Sequence, residues 1–108
     1  MILYDFCVEY RKEPAGLSVR VPRFSWKLES EEKDTVQKSY HIWVFLGEET
    51  IWDSGRKESA QSVLVPYGGK ELEEEKEYRV RLVVGDNYGN SAESQTIFST
   101  GIFDSSHL

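Results

Sequence analysis

The sequence predicts an all-β protein, a seven-stranded immunoglobulin-like β-sandwich of the fibronectin type III variety. Three observations carry that expectation. Apolar and polar residues alternate with period two in short stretches bounded by turn residues, and no stretch reads convincingly as a helix. Leu72 stands six residues before Tyr78, the spacing of a tyrosine corner, in which a phenol bonds back to backbone just upstream. Cys7 is the single cysteine, so no intrachain disulfide can form and the inter-sheet bridge of antibody-type domains is excluded.

The first strand lies in "LYDFCVEY", with Tyr4, Phe6, Val8 and Tyr10 expected inward and Asp5, Cys7 and Glu9 outward. Pro14, Gly16 and Pro22 then interrupt any ladder. "RFSWKLE" alternates without a fault, turning Phe24, Trp26 and Leu28 inward, and Trp26 is large enough to plug the space between two sheets. After the polar stretch "SEEKDTVQK", the third strand "SYHIWVFL" carries Tyr40, Ile42, Val44 and Leu46 on one face and Ser39, His41, Trp43 and Phe45 on the other. "TIWDSG" is the fourth strand, ending in a turn at Asp53, Ser54 and Gly55, because Asp bonds its own following backbone and Gly tolerates positive φ. "SVLVPY" reads as the fifth, with Val63 and Val65 on one side. In "EYRVRLVVGD" Tyr78, Val80, Leu82 and Val84 alternate against Arg79, Arg81 and Val83, and "DNYGN" turns the chain into the last strand, "QTIFSTG".

With 108 residues, 39% of them hydrophobic and 30% charged, the chain has the length and composition of one folded domain. Its span is read as 1–108, with the packed part over about 3–101 and an exit segment at 102–108 leading toward a downstream domain. A net charge of -6 argues against nucleic acid and anionic membrane as partners, since phosphate would repel most of the surface. The start of the chain lacks the basic n-region of a signal peptide, from which a cytoplasmic location is expected. His41 and His107 are far apart with no second ligand nearby, and the acidic run "KELEEEKEY" lacks calcium-loop spacing, so neither a metal nor a cofactor is expected. No phosphate loop, nucleophile elbow or dinucleotide fingerprint is present, and no catalytic residue is assigned.

Binding is a stronger expectation than catalysis. The third and sixth strands are neighbours in this kind of sandwich, which sets Trp43 and Phe45 beside Arg79 and Arg81 on an outer face. Those four residues are the candidate docking face for another domain of the same polypeptide, and in isolation they could pair the chain weakly with itself. An amphipathic sheet covered by its own arginines is the plainer alternative. A carbohydrate platform, which would want Trp43 and Trp52 on one surface, is a third. Trp52 itself is read as packing at a strand edge, with sugar stacking as its alternative.

The order "VPRFSWKLES", "SYHIWV", "IWDSG", "SVLVPYGG", "YRVRLVV" and "STGIFD" resembles the N-terminal fibronectin type III-like domain of bacterial α-L-rhamnosidases of glycoside hydrolase family 78, from Glu9 to Asp104. The resemblance implies an accessory, scaffolding module of an enzyme that releases terminal α-L-rhamnose by inverting hydrolysis in a later (α/α)6 barrel. No catalytic residue carries over. What it implies here is structural: Phe24 and Trp26 as core, Trp52, Asp53, Ser54 and Gly55 as an edge turn, Tyr78 as the corner. Before the last strand the chain departs from the pattern, with Glu93 and Ser94 where relatives often have an aromatic and a serine. The rival from another class is an independent carbohydrate-binding or adhesion module.

Overall fold

The computed structural model describes residues 1–103, and the later part of the exit segment, 104–108, lies outside the described residues. Seven strands form: β1 (Ile2–Val8), β2 (Arg23–Glu29), β3 (Gln37–Leu46), β4 (Glu49–Asp53), β5 (Val65–Pro66), β6 (Glu77–Asp86) and β7 (Ser91–Ser99). They make two antiparallel sheets, ordered β1-β2-β5 and β4-β3-β6-β7. The fourth strand thus joins the third, unlike the constant-type antibody arrangement in which it completes the first sheet.

The faces of β3 and β6 follow the alternation in the sequence. Tyr40, Ile42, Val44, Tyr78, Val80, Leu82 and Val84 are buried between the sheets, and Phe24 and Trp26 of β2 meet them from the other side. Trp26 is the inter-sheet plug: its ring lies edge-on to Tyr40 at 5.5 Å and to Phe6 at 6.2 Å. Gln37 completes its burial. The Trp26 indole N–H donates to Gln37 Oε1 at 2.9 Å, and Gln37 Nε2 donates to the carbonyls of Ser59 and Gln61, so a buried amide stitches the loop after β4 to the core. Tyr78 forms the corner, its hydroxyl accepting the Glu73 N–H at 2.8 Å while its ring stacks on Phe98.

Four details depart from the alternation. In β1 a bulge at Asp5, whose φ is 49°, shifts the register between Tyr4 and Cys7; Leu3 packs against the core in place of Tyr4, which is exposed, and Tyr10 lies outside in the turn that follows. Pro14 to Leu17 do not merely interrupt: Ser99 N–H donates to Pro14 O, Leu17 N–H to Ser99 O and Gly101 N–H to Leu17 O, which covers the end of the β7 edge. β5 is only two residues long, because Leu64 takes a left-handed φ of 55° and throws Val63 into solvent. Phe103, assigned from sequence to the exit segment, is buried, its N–H donating to Glu74 Oε2 and its ring under the Arg20 guanidinium.

The Asp53–Gly55 segment is a kink within an edge and does not reverse the chain. Ser54 N–H donates to Ile42 O, the Ser54 hydroxyl accepts the Ile42 N–H, and pairing with β3 resumes where Lys57 and Tyr40 exchange both bonds. Gly55 supplies the positive φ, 72°, that lets the strand step out and return.

Candidate functional site

The outer face of the four-stranded sheet gathers the candidate residues. Antiparallel register sets Trp43 opposite Arg81 and Phe45 opposite Arg79, while on β7 Gln95 and Ile97 continue the two rows. Side chains directly opposite on one face of a sheet interact, so pairing alone brings the rings and guanidiniums together. The Arg81 guanidinium lies 4.8 Å from the Trp43 ring centre and that of Arg79 lies 4.7 Å from Phe45. At a site this open to water each contact is a weak attraction, screened by the solvent around the guanidinium.

The sequence named His41, Asp53 and Glu93 for other reasons and did not bring them to this face as flanking partners of Trp43 and Arg81. His41 stacks on Trp43 with ring centres 3.7 Å apart and planes 12° from parallel, and its Nε2 lies 2.5 Å from Asp53 Oδ1. Trp43 and Asp53 are register partners of β3 and β4, so β4 carries Asp53 to the edge of the aromatic row. The Gly55 N–H, together with the His41 contact, holds the Asp53 carboxyl below its ordinary range. On the opposite flank Glu93 accepts two bonds from Arg81, at 2.8 and 3.2 Å, and that guanidinium lowers its pKa. The departure at Glu93 therefore has a partner: a carboxylate there fixes Arg81 over Trp43. Alternation placed His41 on this face, but which carboxylates meet it depends on register, which no local pattern reports.

Arg79 is different. The only hydrogen bond of its guanidinium among the described residues is a long one, 3.4 Å to Gly47 O, and no carboxylate among them pairs with it. The face thus runs from a neutralised end, where Asp53 and Glu93 flank His41, Trp43 and Arg81, to an uncompensated cationic end at Phe45 and Arg79. Among the described residues no group of three or more His, Cys, Asp or Glu side chains converges as metal ligands would.

Trp52 occupies a separate place. It is directed inward from β4, opposite Val44, stacking on Phe24 at 6.1 Å with its edge meeting Tyr67 at 5.2 Å. A Cβ at Gly68 would come within 3.4 Å of its indole nitrogen, so the Gly68–Gly69 backbone lies close against the ring. Trp43 and Trp52 therefore do not share a surface.

A family model described as Rha78A-like, N-terminal immunoglobulin domain matches residues 3–104. The chain is 34% identical over 106 residues to an alpha-L-rhamnosidase of Streptomyces avermitilis, covering 92% of this chain and 10% of that protein. To an alpha-L-rhamnosidase of Formosa agariphila it is 30% identical, covering 90% and 11%. The fold superimposes on the solved Streptomyces avermitilis alpha-L-rhamnosidase, complexed with L-rhamnose, with a TM-score of 0.88 at 31% identity, over 98% of this chain and 11% of the other. An alpha-L-rhamnosidase from Dictyoglumus thermophilum gives 0.85 at 30% identity, over 95% and 12%. The chain spans about a tenth of the length of the curated relatives it matches.

Proposed function

The chain belongs to the family of Rha78A-like, N-terminal immunoglobulin domains, and from that premise we propose that it is the non-catalytic, scaffolding module of an α-L-rhamnosidase. One observation carries the proposal: an alignment that covers 98% of this chain takes up 11% of the solved relative. A unit of that proportion supplies packing and orientation, while the reaction belongs elsewhere in the polypeptide. Inverting hydrolysis needs an acid and a base held across a sugar, about 6.5–9.5 Å apart. On the outer face here the two flanking carboxylates are already engaged, Glu93 by Arg81 and Asp53 by His41 and the Gly55 N–H.

In the same proposal Trp43, Phe45, Arg79 and Arg81 are the surface by which the module docks on a neighbouring domain of its polypeptide. Partly buried aromatic rings under arginines form contact surface that stays soluble when unpartnered, and interdomain contacts are more polar than obligate ones. Without that neighbour the face pairs weakly with a second copy. An aryl α-L-rhamnoside assay tests the first part: the purified 108-residue chain releases no aryl group, and release in proportion to added protein would overturn the non-catalytic role. Sedimentation over a concentration series tests the second: weak self-association that Trp43→Glu abolishes while leaving circular dichroism unchanged is the expected result. A Trp43→Glu chain that fails to fold would contradict the outward placement of that side chain.

A further inference from the structure

Charge is distributed unevenly along the strands of the outer face. Trp43 and Arg81 hold a middle row of side chains. Toward the β3–β4 turn the next row carries Phe45, Arg79 and Ile97, and toward the β6–β7 turn the row on the other side carries His41, Val83 and Glu93. One flanking row is therefore cationic and the other anionic, at equal distances from the middle one. Glu77 points the same way as Arg79 from two residues earlier, but no ion pair joins them.

Both flanking charges have bonding capacity to spare. Arg79 is exposed, and its guanidinium, over the Phe45 ring, uses one of its five donors, in the long bond to Gly47 O. Glu93 accepts two bonds from Arg81, yet a carboxylate offers about four lone-pair sites, and this side chain is 46% exposed. A second guanidinium that approaches from solvent can bind Glu93 without displacing Arg81.

We propose that a second copy of the chain docks on this face about a two-fold axis that runs across the strands, along the Trp43–Arg81 row, so that Arg79 of each copy pairs with Glu93 of the other. The inference rests on the self-pairing read above and specifies its register. In aligned face-to-face packing of two sheets, a two-fold axis lies either along the strands or across them. An axis along the strands lays each row on its own copy, which sets Arg79 against the row of the other Arg79 and leaves Glu93 without a new cation. An axis across the strands lays the cationic row on the anionic one. Arg79 then falls over Val83, and Glu93 stands one strand away, about 4.8 Å, within reach of a long side chain. Glu77 falls on the uncharged row of Gly85 and Ser91. Arg81 meets its own copy near the axis, where the Glu93 of each chain offsets its charge. Charge complementarity thus selects one of the two arrangements. Four strands about 4.8 Å apart and three rows about 7 Å apart span about 400 Å² per copy, half of the about 800 Å² per partner in a stable complex, so the pairing is weak.

Sedimentation equilibrium of the 108-residue chain tests the register, with Arg79→Glu and Glu93→Arg measured singly and as an equimolar mixture. Both positions are exposed, and circular dichroism verifies the fold of each variant. The wild type self-associates with Kd on the order of 1 mM. Each single variant binds itself about tenfold more weakly, because a two-fold contact places like charges together twice. The mixture returns to within about threefold of the wild type, since each reversed charge then faces its opposite across the axis. Arg79→Gln, which only removes the charge, weakens self-association about threefold and serves if a reversed charge unfolds the chain. If Trp43→Glu abolishes self-association while both Arg79 variants associate as the wild type does, the docking face stands and this register is overturned. A mixture no more associated than its components also overturns it. A wild type that is monomeric at every concentration overturns the register and the self-pairing together.

Discussion

Gln37→Leu removes a buried amide that ties three parts of the molecule together. Gln37 Oε1 accepts the Trp26 indole N–H at 2.9 Å, and Nε2 donates to Ser59 O at 3.0 Å and Gln61 O at 2.8 Å. Leucine has comparable bulk and none of these bonds. The indole N–H belongs to a residue 2% exposed, with no access to water, so leaving it unpaired costs about 1–3 kcal/mol. The two carbonyls belong to a loop at the surface and can turn to solvent, at about 0.5 kcal/mol each. Burying the leucine side chain returns about 1 kcal/mol, leaving a net loss of roughly 2 kcal/mol. In urea, with a slope of about 1–2 kcal/mol/M for a chain of this size, the midpoint falls by about 1–2 M. Amide exchange at 59–61 quickens at the same time, because the loop has lost its tether to β3. A loss of less than about 0.5 kcal/mol, which is a midpoint moved by less than about 0.5 M, would show that the loop and the indole are satisfied without Gln37.

Tyr78→Phe keeps the ring on Phe98 and deletes the acceptor of the Glu73 N–H; a loss of about 1–2 kcal/mol is expected, lowering the melting temperature by about 5–10 °C, and an unchanged melting curve would mean that the corner is held by ring packing alone. Glu9 accepts bonds from the Arg23 guanidinium and backbone N–H, and the guanidinium holds its carboxyl below the ordinary range. A depressed carboxyl stabilises the fold above its unfolded pKa of about 4.3, and that contribution fades as pH falls through the lower folded value. Glu9→Gln therefore flattens the acid limb of a stability-against-pH curve, and parallel acid limbs for the two proteins would remove Glu9 from the account.

The inward rows of β2, β3 and β6 were legible in the chain because a strand's faces are a local property: each residue's side is set by its neighbours' parity. That parity sufficed to place Trp26 between the sheets and Trp43 with Phe45 on the opposite face from Ile42 and Val44, while the six-residue spacing from Leu72 placed Tyr78 at the corner. Parity fails wherever the backbone gains a residue or turns left-handed. Asp5 and Leu64 do this with non-glycine residues at positive φ, which carry no compositional mark, so Tyr4 and Val63 face water against their pattern.

What joins the pieces was decided only by the tertiary structure. Gln37 lies in a stretch that reads as polar loop, and its burial depends on β2 bringing Trp26 across from the other sheet. Glu93 interrupts a resemblance until β6 sets Arg81 within reach, and Asp86 becomes an unsatisfied carboxylate only once its hairpin closes over it. Each of these is an encounter between residues distant in sequence, fixed by register and by which groups lose their water. A chain states its own periodicity directly, but the partner that a buried polar atom will find is a property of the assembled sheets.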